Sequence, residues 1–134
     1  MQYLLDTNAW VSHFRGFPQL STHLQNNLTQ GVCLCCVVLA ELCYGAFHGD
    51  PQLLQYNLNL IQGLQQDFSS LAFDDVAAVI AAEIRHELAA LGTPIGSNDL
   101  LITAFARANH LTLVAHNTRE FGRIPNLLIE DWQS

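Results

Sequence analysis

Short apolar runs alternate with longer segments of helical period along this chain. Tyr3-Leu4-Leu5 is a brief apolar strand that stops at Asp6. Asp6 or Thr7 can cap a helix from Asn8 to Arg15, which puts Trp10, Val11 and Phe14 on one face. Gly16 and Pro18 break it, and Gln19 to Gln30 reads as a polar helix. A second strand, Val32 to Cys35, leads into a helix from about Val37 to His48, and Gly49-Asp50-Pro51 is a turn. A Gln- and Asn-rich helix runs from Gln52 to Gln66, and Leu71 to Phe73 reads as a short strand. Asp74 or Asp75 caps a long helix, Val76 to Leu91, that Gly92 ends. The loop TPIGSND closes on a cap at Ser97 or Asn98 before a nearly all-apolar helix, Leu100 to Asn109. Strands at Leu111 to Ala115 and Leu127 to Ile129 complete the pattern, separated by a loop from His116 to Pro125 with room for one helical turn. Continuous apolar strands alternating with helices imply an α/β fold with a parallel sheet covered on both faces. In such sheets ligands bind beyond the carboxyl ends of the strands.

Composition narrows the chemistry. The 134 residues fit one domain, 1–134, with no repeat or linker. The longest apolar run, Val32 to Ala40, is too short to span a bilayer. No basic region precedes an apolar block at the start, so no signal peptide and a cytoplasmic location are expected. All five basic residues are arginines, and the net charge is −7. Without lysine, P-loop NTPases, Schiff-base enzymes and Ser-Lys acyl enzymes are excluded. The acidic balance argues against grip on nucleic acid by counterion release, and is compatible with carboxylates that hold divalent cations. Charged residues make up only 13%, which suggests that another chain covers part of the surface. Cys33, Cys35, Cys36 and Cys43 all fall in one apolar stretch without a separate CxxC pair, so they read as reduced core thiols. His86-Glu87 opens like a zinc-protease motif, but position 90 is Ala.

The acids at the strand ends carry the remaining signal. Asp6 directly follows the first strand. Glu41 is the only charged side chain from Gly31 to Phe47, and an acid there is costly unless paired or bound to a metal. Asp99 opens the buried helix and is the only acid between Glu87 and Glu120, and Asn117 follows the strand at Leu111 to Ala115. Asp6 and Asp99 also suit helix starts, where an Asp caps or offsets the dipole. Glu41 has no such role mid-helix. Three acids and an amide at one sheet edge form a hard-oxygen set suited to Mg²⁺ or Mn²⁺.

Those same residues carry a resemblance. LLDTN at Asp6, LAELCYGA around Glu41, PIGSNDLLITAFAR around Asp99 and VAHNTREF around Asn117 are similar to the blocks of a PIN domain. More narrowly the chain resembles VapC toxins of bacterial type II toxin–antitoxin pairs. NTREF and the ending LLIEDW are closest to the tRNA(fMet)-specific endonuclease branch. The resemblance implies a three-layer α/β/α sandwich with a mainly parallel sheet, Mg²⁺-dependent RNA cleavage, a homodimer, and a VapB-type antitoxin as partner. Many PIN domains carry a fourth acid where Asn117 stands.

On this reading Asp6 and Asp99 are direct metal ligands, and Glu41 binds directly or through water and orients the attacking water. Asn117 adds no charge and hydrogen-bonds water at the site. Thr7 and Asn8 support the ligands. Arg119 is a phosphate contact, or else forms a surface pair with Glu120. The expected substrate is RNA, with tRNA foremost. The alternatives are a PIN-like binding module that cuts nothing, or a nuclease directed at ribosomal or messenger RNA. The helices Gln19 to Gln30 and Gln52 to Gln66 are exposed candidates for dimer contacts.

Overall fold

A computed structural model describes residues 2–134. Five parallel strands form one sheet: β1 (Tyr3–Leu5), β2 (Val32–Cys35), β3 (Ser69–Leu71), β4 (Thr112–Val114) and β5 (Ile129–Glu130). Their spatial order is β3-β2-β1-β4-β5. The chain builds outward from β1 through β2 to β3, then crosses back to add β4 and β5 on the other side. The direction therefore reverses between β1 and β4, and an open α/β sheet has its crevice at that place. Every residue of β1, β2 and β4 is buried. Successive strand side chains point to opposite faces, so both faces of the central sheet must be covered. The seven helices supply that cover in a three-layer α/β/α sandwich: α1 (Thr7–Phe14), α2 (Pro18–Asn26), α3 (Cys36–His48), α4 (Leu54–Asp67), α5 (Asp75–Ala90), α6 (Ser97–Ala108) and α7 (Thr118–Phe121).

The largest helix contact is between α5 and α6. Ala77, Ala81, Ile84 and Leu88 recur as the buried stripe of α5, and Ile102 and Phe105 are among the buried residues of α6. The Asp74 carboxylate caps α5 by accepting from the Ala77 N–H at 3.1 Å. Asp74→Ala should cost about 1 kcal/mol, read as a lower urea midpoint with an unchanged m-value. Beyond α5, Gly92 adopts φ +69, a left-handed conformation in which a Cβ would be strained.

Several boundaries differ from the sequence expectation. β3 lies at Ser69–Leu71 rather than 71–73. It pairs only with β2, and an edge strand tolerates the exposed Ser69 and Ser70, which apolar patterning overlooks. β5 is likewise shifted to Ile129–Glu130 at the opposite edge. The polar helix from Gln19 stops at Asn26, because the Asn27 Nδ2 donates to the His23 carbonyl at 2.7 Å and a 3-10 turn, Leu28–Gln30, follows. Cys33 and Cys35 are buried core thiols, and burial pushes Cys35 up to about 11. Cys36 is exposed, contrary to the core reading, because it opens α3. Among the described residues no helix is long and apolar enough to cross a membrane.

Candidate active site

Asp6 leaves β1 in an extended conformation, and its N–H donates to the Val114 carbonyl at 3.1 Å. That bond ties the end of β1 to the end of β4, at the crevice. Asp6 also caps α1, since its Oδ1 accepts from the Ala9 N–H at 2.8 Å. Capping and a second role are compatible, because one hydrogen bond leaves the other carboxylate oxygen available. Only 6% of Asp6 is exposed. Burial pushes its carboxyl up to about 6, and the charges of Asp99 and Glu41 push the same way. The Ala9 hydrogen bond and His116 act against them.

Glu41 lies in α3, whose apolar residues Val38, Leu42 and Ala46 bury against the core. Its Oε1 accepts from the Thr7 Oγ1 at 2.5 Å, and its Oε2 from the Asn98 Nδ2 at 3.4 Å. One carboxylate thereby joins α3 to the N-termini of both α1 and α6. Thr7 thus stands beside an acid. Asn8 is exposed in the first turn of α1 and has no side-chain hydrogen bond to the acids among the described residues.

The loop before α6 does not close on Ser97 or Asn98. Gly96 is the N-cap, without a side-chain cap bond, and both expected caps are already helical. Asn98 cannot fold back as a cap while its amide reaches Glu41. Asp99 thus sits in the first turn of α6, where the helix dipole favours negative charge. It is half-buried, and its carboxyl is raised by burial first, then by Glu120 and Glu41.

Asn117 follows β4 and precedes α7, the short turn that carries Arg119 and Glu120. Gly122 allows that turn, since a Cβ there would meet the Thr118 carbonyl oxygen at 2.7 Å. The Asn117 Nδ2 donates to the Glu120 Oε2 at 3.1 Å. The expected Arg119–Glu120 pair does not form. Arg123 faces Glu120 instead, with Nη2 4.0 Å from Oε1, because a residue three positions on shares its side of the turn. His116 is held by Asp131 through Nδ1 at 3.1 Å.

Asp6, Glu41 and Asp99 therefore stand within electrostatic reach of one another, and Glu120 joins them. Sequence reasoning missed Glu120 as a member of the group. The signal was its place three residues after Asn117, one turn beyond a strand end. The donors are all hard oxygens, and Asp6 and Asp99 have no arginine partner among the described residues. Among the described residues no group of three or more His, Cys, Asp or Glu side chains is drawn together closely enough to hold a metal ion by itself. The hard-oxygen donors of Asp6 and Asp99 fit a small divalent cation held by one or two carboxylates that keeps much of its water. They do not suit a closed structural site, which needs a full protein ligand set.

Residues 3–127 match the PIN domain family. The chain is 38% identical over 133 residues to the tRNA(fMet)-specific endonuclease VapC of Shigella flexneri, covering 98% of both chains. Its structure resembles that of DNA-bound VapBC from Salmonella typhimurium, with a TM-score of 0.90, 34% identity and 98% of each chain covered. It also resembles VapBC2 from Rickettsia felis bound to a promoter DNA fragment, with a TM-score of 0.91, 33% identity, and 98% of this chain and 99% of that one covered. With sequence and fold matched along nearly its whole length, the chain belongs to the PIN-domain family and, within it, to the VapC proteins.

Proposed function

We propose that this chain is the toxin of a VapBC-type pair, an endoribonuclease that hydrolyses RNA phosphodiester bonds with Mg²⁺ at the Asp6–Asp99 site. One observation carries the reading. Two acids at the β1–β4 crevice are raised by burial and by their acidic neighbours, with no arginine to relieve them. A divalent cation removes that repulsion, and Mn²⁺ has the same oxygen preference. When bound, the cation would supply charge stabilisation on the phosphate and lower the pKa of the attacking water.

The chain's own residues divide the remaining work. Asp6 and Asp99 hold the cation. Glu41, oriented by Thr7 and Asn98, is placed to receive a proton from the attacking water or to bind the ion through water. Glu120 supplies the fourth carboxylate, and Asn117 holds Glu120 in place through its amide. The target is initiator tRNA, in line with the activity named for the Shigella relative, and the cut is proposed to fall in its anticodon loop.

The partner is a VapB-type antitoxin. The Salmonella and Rickettsia neighbours are VapBC assemblies. An apolar groove of about 480 Å³, lined by Val11, Phe14, Leu42 and Leu60, opens beside Thr7 and Glu41. An antitoxin segment laid in it would close the site. Exposed Tyr44, Phe47, Leu53 and Tyr56 leave further apolar surface for a covering chain, whether antitoxin or second copy.

The direct test incubates the antitoxin-free protein with a tRNA mixture, in Mg²⁺ and then in EDTA, and maps the cut ends. A metal-dependent cut confined to the initiator tRNA anticodon loop is expected. Scattered cuts, or cuts in ribosomal or messenger RNA, would redirect the target. No cleavage by folded protein in any lane would leave a non-catalytic binding module.

A further inference from the structure

With a net charge of −7 and no lysine, the five arginines are the chain's only permanently charged side-chain cations. Their positions differ in kind. Arg15 ends α1 beside the apolar groove. Arg85 is exposed on α5. Arg107 lies in α6 with its Nη1 buried and unpartnered. Arg119 and Arg123 share a pocket, an open space of about 430 Å³ lined with Asn117 and Glu120.

The two guanidiniums of that pocket are held differently. Arg123 is oriented from one side, with its Nε donating to the Glu120 carbonyl at 3.3 Å and its Nη2 4.0 Å from the Glu120 carboxylate. Its remaining N–H donors are uncommitted. Arg119 is exposed and forms no ion pair among the described residues. Glu120 is the link to the acids: after burial its charge is the largest cause of the raised Asp99 carboxyl, and Asn117 of the same pocket follows β4, whose Val114 carbonyl accepts from the Asp6 N–H at 3.1 Å. The pocket therefore adjoins the acid cluster and carries the opposite sign of charge.

A guanidinium presents planar paired donors that match two phosphate oxygens, and it stays charged at any working pH. A polyanion approaching this acidic chain meets net repulsion, and attraction at the pocket lined by the unpaired Arg119 fork and the Arg123 fork that Glu120 holds from one side. We infer that the Arg119–Arg123 pocket is a subsite for an RNA backbone phosphate adjacent to the one being cleaved. The inference rests on the ribonuclease reading above and adds to it how a lysine-free acidic protein holds its substrate. One phosphate lies at the carboxylates with the cation. Its neighbour on the same strand lies between the arginines, and the two contacts fix the direction of the strand across the crevice.

The test uses the full chain carrying Asp6→Asn to silence cleavage, with a short unstructured RNA oligonucleotide. Fluorescence anisotropy gives Kd across a NaCl series. Arg119→Gln and Arg123→Gln should each weaken binding on the order of tenfold, as for a lost hydrogen bond to a charged group. Each should also lower the slope of log affinity against log salt by about 0.7, the value for one single-strand phosphate contact. Arg119→Lys should keep the slope and lose part of the affinity. Arg85→Gln, an exposed arginine that does not line the pocket, should change neither. In the cleaving protein, Arg119→Gln should raise KM far more than it lowers kcat. Should Arg123→Gln fail to fold by circular dichroism, Arg123→Lys and the exposed Arg119 series carry the test. If the Asp6→Asn parent binds RNA with normal salt dependence and both arginine variants match it in Kd and slope, the subsite is overturned. If the parent binds no RNA at low salt and the wild-type chain cleaves none, the ribonuclease reading falls and the subsite with it.

Discussion

Replacing Asp6 by Asn is expected to lower RNA cleavage by about a thousandfold or more, the loss that follows when several kcal/mol of metal-supplied stabilisation is removed, while the fold survives. The two halves of this expectation come from different atoms of one side chain. Asn keeps a side-chain carbonyl where Asp6 Oδ1 accepts the Ala9 N–H, and Asn caps helices as well as Asp does. Its amide has no charge to offer a cation. The Asp6 N–H bond to Val114 belongs to the backbone and is untouched. Asp99→Asn should behave alike, since Asp99 makes no side-chain cap bond that the change would break. The measurement is cleavage rate on tRNA in Mg²⁺, beside circular dichroism and a thermal melt of each variant. Wild-type cleavage by folded Asp6→Asn or Asp99→Asn protein would falsify the metal assignment.

The same carboxyl should make metal-free protein less stable as pH rises from about 4 to about 6. Burial lifts Asp6 from 3.8 to about 6 in the folded chain. Between those values the folded state holds a proton that the unfolded state has released. Stability from the protonated form is therefore complete below about pH 4 and is lost as pH climbs through 6. Two units of difference correspond to on the order of 3 kcal/mol. Asp99 is raised too and adds in the same direction. Asp131 is lowered, so its contribution is lost on acidification below the usual carboxylate range, outside this window. Burial lowers His13, which costs stability as pH falls below 6.5 and opposes the trend in part. Comparing urea unfolding of wild-type and Asp6→Asn protein in EDTA across pH 4 to 8 removes the His13 contribution, which both share. Asp6→Asn should be the more stable above pH 6, and the gap should close by pH 4. Saturating Mg²⁺ at pH 7.5 should stabilise the wild type by about 3 kcal/mol at a hundredfold excess over Kd, and Asp6→Asn far less. Parallel stability curves for the two proteins in EDTA would mean that Asp6 carries no excess charge cost in the folded state.

Much of the architecture was legible because strands buried on both faces must be written in uninterrupted apolar residues. Tyr3–Leu5 and Val32–Cys35 appear at their observed bounds. The edge strands were misplaced because an edge has one neighbour and one demand fewer, so Ser69 and Ser70 pass there. The three separated acids were legible for an energetic reason. Glu41 is alone in a long apolar stretch, and Asp6 and Asp99 each stand where a strand or loop meets a helix. Glu120 was not, because an exposed-looking Arg-Glu pair is ordinary surface until its distance to Asp99 is known.

The sequence by itself determined the alternation of elements, the absence of lysine chemistry and the three acids that have no cheap place in a core. Those properties are local, or are sums over the chain, and survive without a partner in space. Only the tertiary structure decided that β1 and β4 are neighbours, which brings residues more than a hundred positions apart to one crevice. It alone paired Thr7 and Asn98 with Glu41, set Glu120 against Asp99, and turned Arg123 rather than Arg119 toward Glu120. Charge interaction falls with distance and strengthens out of water, and neither separation nor burial is written in the order of residues.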